Sequence, residues 1–249
     1  MLIITADDLG RDLIATDSCL SCFRKGLITS SSIMVLMRDS ERAADAALSS
    51  GLETGLHVNL TVPYTAGPSA SAPLERLLPV VSYLHRGKWA QVVYNPRIRN
   101  DVEYSFGTQL EEYRRLFQRE PAHINGHEHM HLCMNMILGR VIPSGSAVRR
   151  NFSFAPGEKN ISNRTYRQWV DSRLLKSRLS TDFFFSVDPV QDGTRVRRIF
   201  ELAKGSSVEL MVHPWREDQF AFMTGQLYAD LISRTSLGTF GALPRVMKR

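Results

Sequence analysis

The chain has 249 residues, 43% hydrophobic and 22% charged, which is the composition of a globular protein with a sizeable core and excludes a disordered or fibrous one. Its formal charge of +6 does not point to nucleic acid, because the basic residues are scattered and meet only in short pairs such as Arg114-Arg115, Arg149-Arg150 and Arg197-Arg198. No stretch reaches the roughly 20 apolar residues that cross a bilayer, and three cysteines, Cys19, Cys22 and Cys133, cannot close a disulfide framework, which fits a reducing, cytoplasmic setting.

Short β-branched runs alternate with helical periodicities. Residues 2–6 read as the first strand, which runs directly into Asp7-Asp8 with no basic leader or cleavage-like site before it. A helix over 13–25 contains Cys19 and Cys22, read as small buried side chains and not as a metal or redox pair. Strands over 31–37 and 54–60 flank a helix over 42–50. Residues 63–99 then break the rhythm with Pro, Gly, Ser and Ala and one short helical piece around 77–84. The segment reads as an insertion near the substrate mouth, since long connections of this kind are often lids.

The helix over 102–118 is the most regular, with Val102, Phe106, Leu110, Tyr113 and Phe117 at helical spacing after Asp101, a plausible cap. Strands over 122–126, 147–150, 183–187 and 208–212 follow, separated by helices over 163–179 and 195–203, and a last helix spans 219–233. Strand and helix in turn predict about seven parallel strands joined by crossover helices, in an open sheet or a (β/α) barrel. No second domain is visible in residues 1–249.

In such folds functional groups gather at the C-terminal ends of the strands. The proposed strands deliver to one rim Asp7-Asp8, His57 with Asn59, His127-Glu128-His129-Met130-His131, Arg149-Arg150, Asp188 and His213. Adjacent aspartates after a strand often only cap a turn, and a lone histidine is usually a satisfied, half-buried side chain. The triplet His127, His129 and His131 is different, because three imidazoles in five residues are costly to bury unless something coordinates or pairs them. Two geometries fit it. The His-Glu-x-x-His spacing of His127, Glu128 and His131 suits a zincin helix. The preceding strand-like run, with Gly126 a poor helix residue, favours instead a strand-end site in which His127 ligates a metal and His129 or His131 lies behind it or in the substrate cleft.

Several stretches resemble, in order and over nearly the whole chain, the YdjC-like carbohydrate deacetylase family, which includes chitooligosaccharide deacetylases. They are Thr5-Ala6-Asp7-Asp8-Leu9-Gly10, Thr29-Ser30-Ser31-Ser32-Ile33-Met34-Val35, Gly55-Leu56-His57-Val58-Asn59-Leu60-Thr61, Asn125-Gly126-His127-Glu128-His129-Met130-His131 and Glu209-Leu210-Met211-Val212-His213-Pro214. The resemblance implies a distorted TIM-like barrel and one divalent metal ion held by Asp8, His57 and His127. It further implies Asp7 as catalytic base, His213 as acid and Arg149 as the residue orienting the base. Mg is the metal by resemblance, while two imidazoles also suit Zn or Mn. Asn59, His129, His131 and Trp215 are candidate substrate contacts, although Trp215 can equally pack under the rim. The family commonly has Asp where Asn125 stands and Gly where Trp215 stands, which leaves the ligands intact and the identity of the sugar open.

The implied activity is removal of an N-acetyl group from an amino sugar, oligosaccharide or glycolipid. A non-catalytic sugar-binding protein on the same scaffold and a metal-dependent phosphoesterase are the alternatives. The sequence leaves oligomeric state open, a homodimer included, and gives no sign of stable membrane insertion or nucleic-acid binding.

Overall fold

The computed structural model describes residues 1–67, 71–154 and 158–244. Its centre is a sheet of parallel strands β1 (Leu2–Leu9), β2 (Ser30–Ile33), β3 (Glu53–Val58), β4 (Ile124–Gly126), β5 (Phe183–Ser186) and β6 (Val208–Val212), in the order β4-β3-β2-β1-β6-β5. β1 is central, and all eight of its residues are buried, as expected of a strand covered on both faces. Helices α1 (Leu13–Arg24), α2 (Ser40–Ser50), α3 (Ser71–Leu84), α4 (Lys88–Val92), α5 (Arg99–Phe117), α6 (Met134–Gly139), α7 (Ile161–Leu174), α8 (Gly193–Leu202), α9 (Glu217–Met223) and α10 (Gln226–Ser233) surround it.

The strand order leaves β4 and β5, consecutive in sequence, at opposite edges of the sheet. Residues 147–153 join those edges. Arg149 donates its amide to the Ile124 carbonyl of β4 (3.0 Å), and Ser153 donates to the Phe184 carbonyl of β5 (2.8 Å), so the sheet curls into a half-barrel. Two expectations are corrected here. The barrel of about seven strands is a curled sheet of six, and residues 147–150 make only isolated bridges, Ile124 with Val148 and Ala147 with Leu179. A β4 of three residues offers too short an edge for a full partner strand, and the chain must leave that edge at once to reach β5.

Local chemistry accounts for several helix boundaries. Asp12 caps α1 by accepting from the Ala15 amide at 2.9 Å. α2 stops at Gly51, where φ of +74° suits glycine. In α5 the residues of the apolar stripe, Val102, Phe106, Leu110, Tyr113 and Phe117, are all buried, but the helix starts at Arg99, which puts Asp101 in the first turn and not at the cap. The single helix expected over 219–233 is two, with Gly225 as the N-cap of α10. The helix expected over 163–179 ends at Leu174 and gives way to a 3-10 turn. Residues 63–99 hold α3 and α4, and the buried Leu77, Val80, Val81 and Leu84 of α3 join the main apolar core. Cys19, Cys22 and Cys133 are buried free thiols, and the first two pack on the inner face of α1.

Candidate metal and catalytic centre

β1 ends in a local irregularity that creates the site. Side chains alternate sides along a strand, so Asp7 and Asp8 would face opposite ways. The register of β1 against β2 shifts between Ala6 and Leu9, and Asp8 lies at φ +71°, a left-handed conformation that costs a non-glycine residue about 1–3 kcal/mol. The bulge brings both carboxylates into one cluster, where Ser32 of β2, His57 of β3 and Asn125 of β4 meet them. Glu128 and His129 are also left-handed, at φ +51° and +60°, so backbone strain is concentrated around this rim.

Asp8, 1% exposed, directs Oδ1 at two imidazoles, with His57 Nε2 at 3.2 Å and His127 Nδ1 at 3.0 Å. One potential ligand atom from each of the three residues lies within 4.8 Å of the others, and among the described residues this is the group so arranged. His57 is oriented from behind. Its Nδ1 lies 2.7 Å from Asn125 Oδ1, and because the Asn125 amide nitrogen donates to Asp7 and to Ser32 Oγ (3.1 Å each), that oxygen is an acceptor for the Nδ1 proton. The Nε2 lone pair is then left for the site, the pattern in which a protein holds a metal-ligating histidine. Burial pushes His57 down, but the Asp7 and Asp8 carboxylates outweigh it and raise its affinity for a proton. Burial likewise raises Asp8, and its bonds to His127 and His57 bring it well below the usual carboxylate range. A pocket that favours positive charge between a carboxylate and two imidazoles fits a divalent cation with mixed oxygen and nitrogen ligands.

Asp7 belongs to a second network. Its Oδ2 accepts from Arg149 Nη1 at 2.5 Å, and Oδ1 accepts from Arg149 Nη2 (2.9 Å), Ser32 Oγ (2.9 Å) and Asn125 Nδ2 (3.1 Å). Arg149, fully buried, also donates Nε to Glu209 Oε1 of β6 at 2.8 Å and lies 4.7 Å over the Phe184 ring. Burial raises Asp7, but the Arg149 charge and hydrogen bonds dominate and hold the carboxyl far below its ordinary value. Glu209 remains raised by burial, with Arg149 opposing. Asp7, Glu209 and Arg149 thus form a buried trio with one guanidinium between two carboxylates.

The other expected residues fall in different places. His213 follows β6, its amide fixed by Gln219 Oε1 at 2.6 Å; burial lowers its ring while the Asp7 and Asp8 carboxylates oppose the shift. Its Nδ1 is buried without a partner among the described residues. Trp215 donates Nε1 to Asp8 Oδ2 at 3.0 Å. His129 packs edge-on against Phe152, with ring centres 4.6 Å apart. Two candidate substrate contacts face protein instead. Asn59, 0% exposed, accepts from the Thr61 and Val62 amides and donates to the Val62 carbonyl, closing the turn after β3. His131, also 0% exposed, bonds the Arg149 carbonyl through Nε2 at 3.0 Å and steadies the segment that carries Arg149. The zincin geometry is absent as well. Residues His127–Leu132 form a kinked 3-10 turn, and His131 lies outside the Asp8, His57 and His127 cluster.

Gly126 is required less for avoiding a helix than for contact, since a Cβ there would come within 2.8 Å of the His131 amide nitrogen. Sequence reasoning left Ser32, Asn125, Glu209 and Arg11 without roles. Glu209 carried the clearest signal, a carboxylate inside the otherwise apolar run of β6.

Comparison with known proteins fits this geometry. Residues 1–234 match the family described as YdjC-like protein. Chitooligosaccharide deacetylase from Yersinia pestis is 24% identical over all of this chain and 95% of its own length. Mouse and human proteins named carbohydrate deacetylase are each 31% identical over 136 residues. Those alignments cover 43% and 41% of the mouse and human proteins, so the matched segment spans less than half of those relatives. A crystal structure from Enterococcus faecalis, named for a suspected cleavage of cellobiose phosphate, superposes with a TM-score of 0.69 at 15% identity over 97% of both chains, a likeness of fold alone.

Proposed function

The chain belongs to the YdjC-like family, and from that premise we propose that it is a metal-dependent hydrolase that removes the N-acetyl group from an amino sugar or a short oligosaccharide. One observation carries the reading. Asp8, His57 and His127 bring ligand atoms within 4.8 Å of one another, beside an Asp7 that is ion-paired to a buried Arg149. The names of the Yersinia, mouse and human relatives supply the substrate class.

In this reading Asp8, His57 and His127 hold one divalent ion, which when bound acidifies water and polarises the acetyl carbonyl. Asp7 is the base that takes a proton from the attacking water. Arg149, Ser32 and Asn125 fix its carboxylate and keep it ionised, so it is in the accepting form throughout the working range. His213 is the acid. Burial lowers its proton affinity, so once protonated it gives the proton up readily to the departing amine. The net change is amide plus water to amine plus acetic acid; before the next cycle Asp7 gives its proton up to solvent and His213 takes one from solvent. The described residues of the 63–99 segment, 63–67 and 71–99, follow β3 in the chain, and we assign them to the flank of the substrate mouth.

Acetate release tests the proposal. Metal-loaded protein is offered N-acetylated mono-, di- and oligosaccharides alongside a generic phosphomonoester. Free acetate with an exposed amine on the sugar is the expected result. Phosphate release without acetate would replace the reading with a phosphoesterase, and sugar binding without turnover would replace it with a binding protein.

A further inference from the structure

The two oxygens of Asp8 have different surroundings. Oδ1 faces His57 and His127, whereas Oδ2 accepts from Trp215 Nε1 at 3.0 Å and from Arg11 Nη1 at 2.9 Å. The donors hold each other. The Arg11 guanidinium carbon lies 4.1 Å over the Trp215 ring, a cation–π contact. Arg11 Nε in turn donates to Asp12 Oδ2 at 2.9 Å, and Asp12 is the residue that caps α1. The pair is therefore anchored from both sides, one member on the turn after β1 and the other beyond β6.

A carboxylate can bind an ion through one oxygen or both. With Oδ2 occupied by two donors from different parts of the chain, rotation to present both oxygens would break two hydrogen bonds to a carboxylate that is itself 1% exposed. We propose that Arg11 and Trp215 form a clamp that fixes Asp8 as a one-oxygen metal ligand, which makes Trp215 a positioning residue and not a stacking platform for sugar. This inference rests on the metal reading above. The clamp also explains the tryptophan chemically, since an indole N–H donates a directed hydrogen bond without adding charge, while the ring face gives the Arg11 cation a place to lie.

Groups that orient a metal ligand from behind typically change metal affinity 10- to 100-fold when removed. Trp215→Phe keeps a ring for Arg11 and deletes only the N–H donor. Its dissociation constant for Mn, measured by equilibrium dialysis, is expected to rise about 10-fold or more over wild type, with KM for the acetylated sugar at saturating Mn close to the wild-type value. A variant with Trp89→Phe and Trp169→Phe leaves Trp215 as the single tryptophan, and its emission under selective tryptophan excitation should be quenched as paramagnetic Mn binds. Unchanged Mn affinity with a raised sugar KM in Trp215→Phe would overturn the clamp in favour of a sugar platform. Mn binding that leaves Trp215 emission unaltered would overturn it independently of whether Trp215→Phe folds. Wild-type protein that takes up no divalent ion would overturn the clamp and the metal reading together.

Discussion

Replacing Arg149 by methionine tests whether the buried trio is held together by its single cation. The guanidinium has no solvent exposure, and it is bonded to Asp7 at 2.5 and 2.9 Å and to Glu209 at 2.8 Å. Arg149→Met leaves two buried carboxylates facing one another, and losing one member of a buried ion pair costs about 3–5 kcal/mol. At about 2–4 °C per kcal/mol for a chain of this size, the melting temperature should fall by roughly 6–20 °C at neutral pH. Acid should narrow the gap. Without Arg149 the main influence holding both carboxyls down is lost and burial pushes them up relative to wild type, so protonation costs the folded variant less and its deficit shrinks as the pH falls. Thermal melts of both proteins between about pH 8 and pH 5 read this directly. The triple variant Arg149→Met, Asp7→Asn, Glu209→Gln should recover most of the loss, because neutral groups of similar size replace the whole network. A single variant that melts within a degree of wild type, or a gap that widens on acidification, would refute the reasoning.

Asp7→Asn should lower kcat/KM by at least about 100-fold, the lower bound for a general base, while metal content stays near wild type; near-normal turnover would remove Asp7 from its assigned role. His131 supplies a pH dependence. Burial pushes its imidazole down to about 3, whereas an unfolded histidine titrates near 6.5, so the unfolded chain binds the extra proton. The stabilisation is complete above about pH 6.5 and is lost as the pH falls toward the folded value, amounting to about 2 kcal/mol by pH 5. His131→Gln keeps a donor for the Arg149 carbonyl and should show a correspondingly smaller loss in urea unfolding between about pH 7 and pH 5; equal losses in both proteins would contradict the assignment. Gly55→Ala would place a methyl 2.4 Å from the His123 ring and 2.5 Å from its carbonyl oxygen. A destabilisation of about 1–3 kcal/mol or more is expected from such overpacking, and an unshifted urea midpoint would show that the strands part easily.

Much of the architecture was legible because hydrophobic periodicity reports burial. The stripe from Val102 to Phe117 and the apolar β6 appear in the structure as the sequence suggests. Residues 147–150 misled for a physical reason. Ala147 and Val148 are buried as strand residues would be, but Arg149 and Arg150 follow at once; pairing also depends on the length of the neighbouring edge, and β4 has three residues to offer. The split between α9 and α10 was marked by Gly225, a weaker signal than the apolar pattern running through it.

At the site, the rim positions of Asp7, Asp8, His57 and His127 could be read from strand endings, and their convergence follows from the parallel topology. Which way a side chain turns could not be read so easily. Asn59 and His131 lie in the same motifs as the ligands, but the first closes a turn and the second reaches a backbone carbonyl. The bulge at Asp8 has no signature beyond two adjacent aspartates, which more often cap a turn. Glu209 gains its role through Arg149, 60 residues away in sequence, and a separation of that kind is invisible until the chain is folded; Arg11 is only three residues from Asp8, but its contact depends on the left-handed turn at Asp8.

The account depends most on one cation being shared by three strand ends. Metal content per chain after loading with Mn or Zn and exhaustive dialysis measures this directly. Wild type and Asp7→Asn should each retain one equivalent, and Asp8→Ala, His57→Ala and His127→Ala should each retain far less. Full loading of all three alanine variants, or an empty wild-type protein, would contradict it.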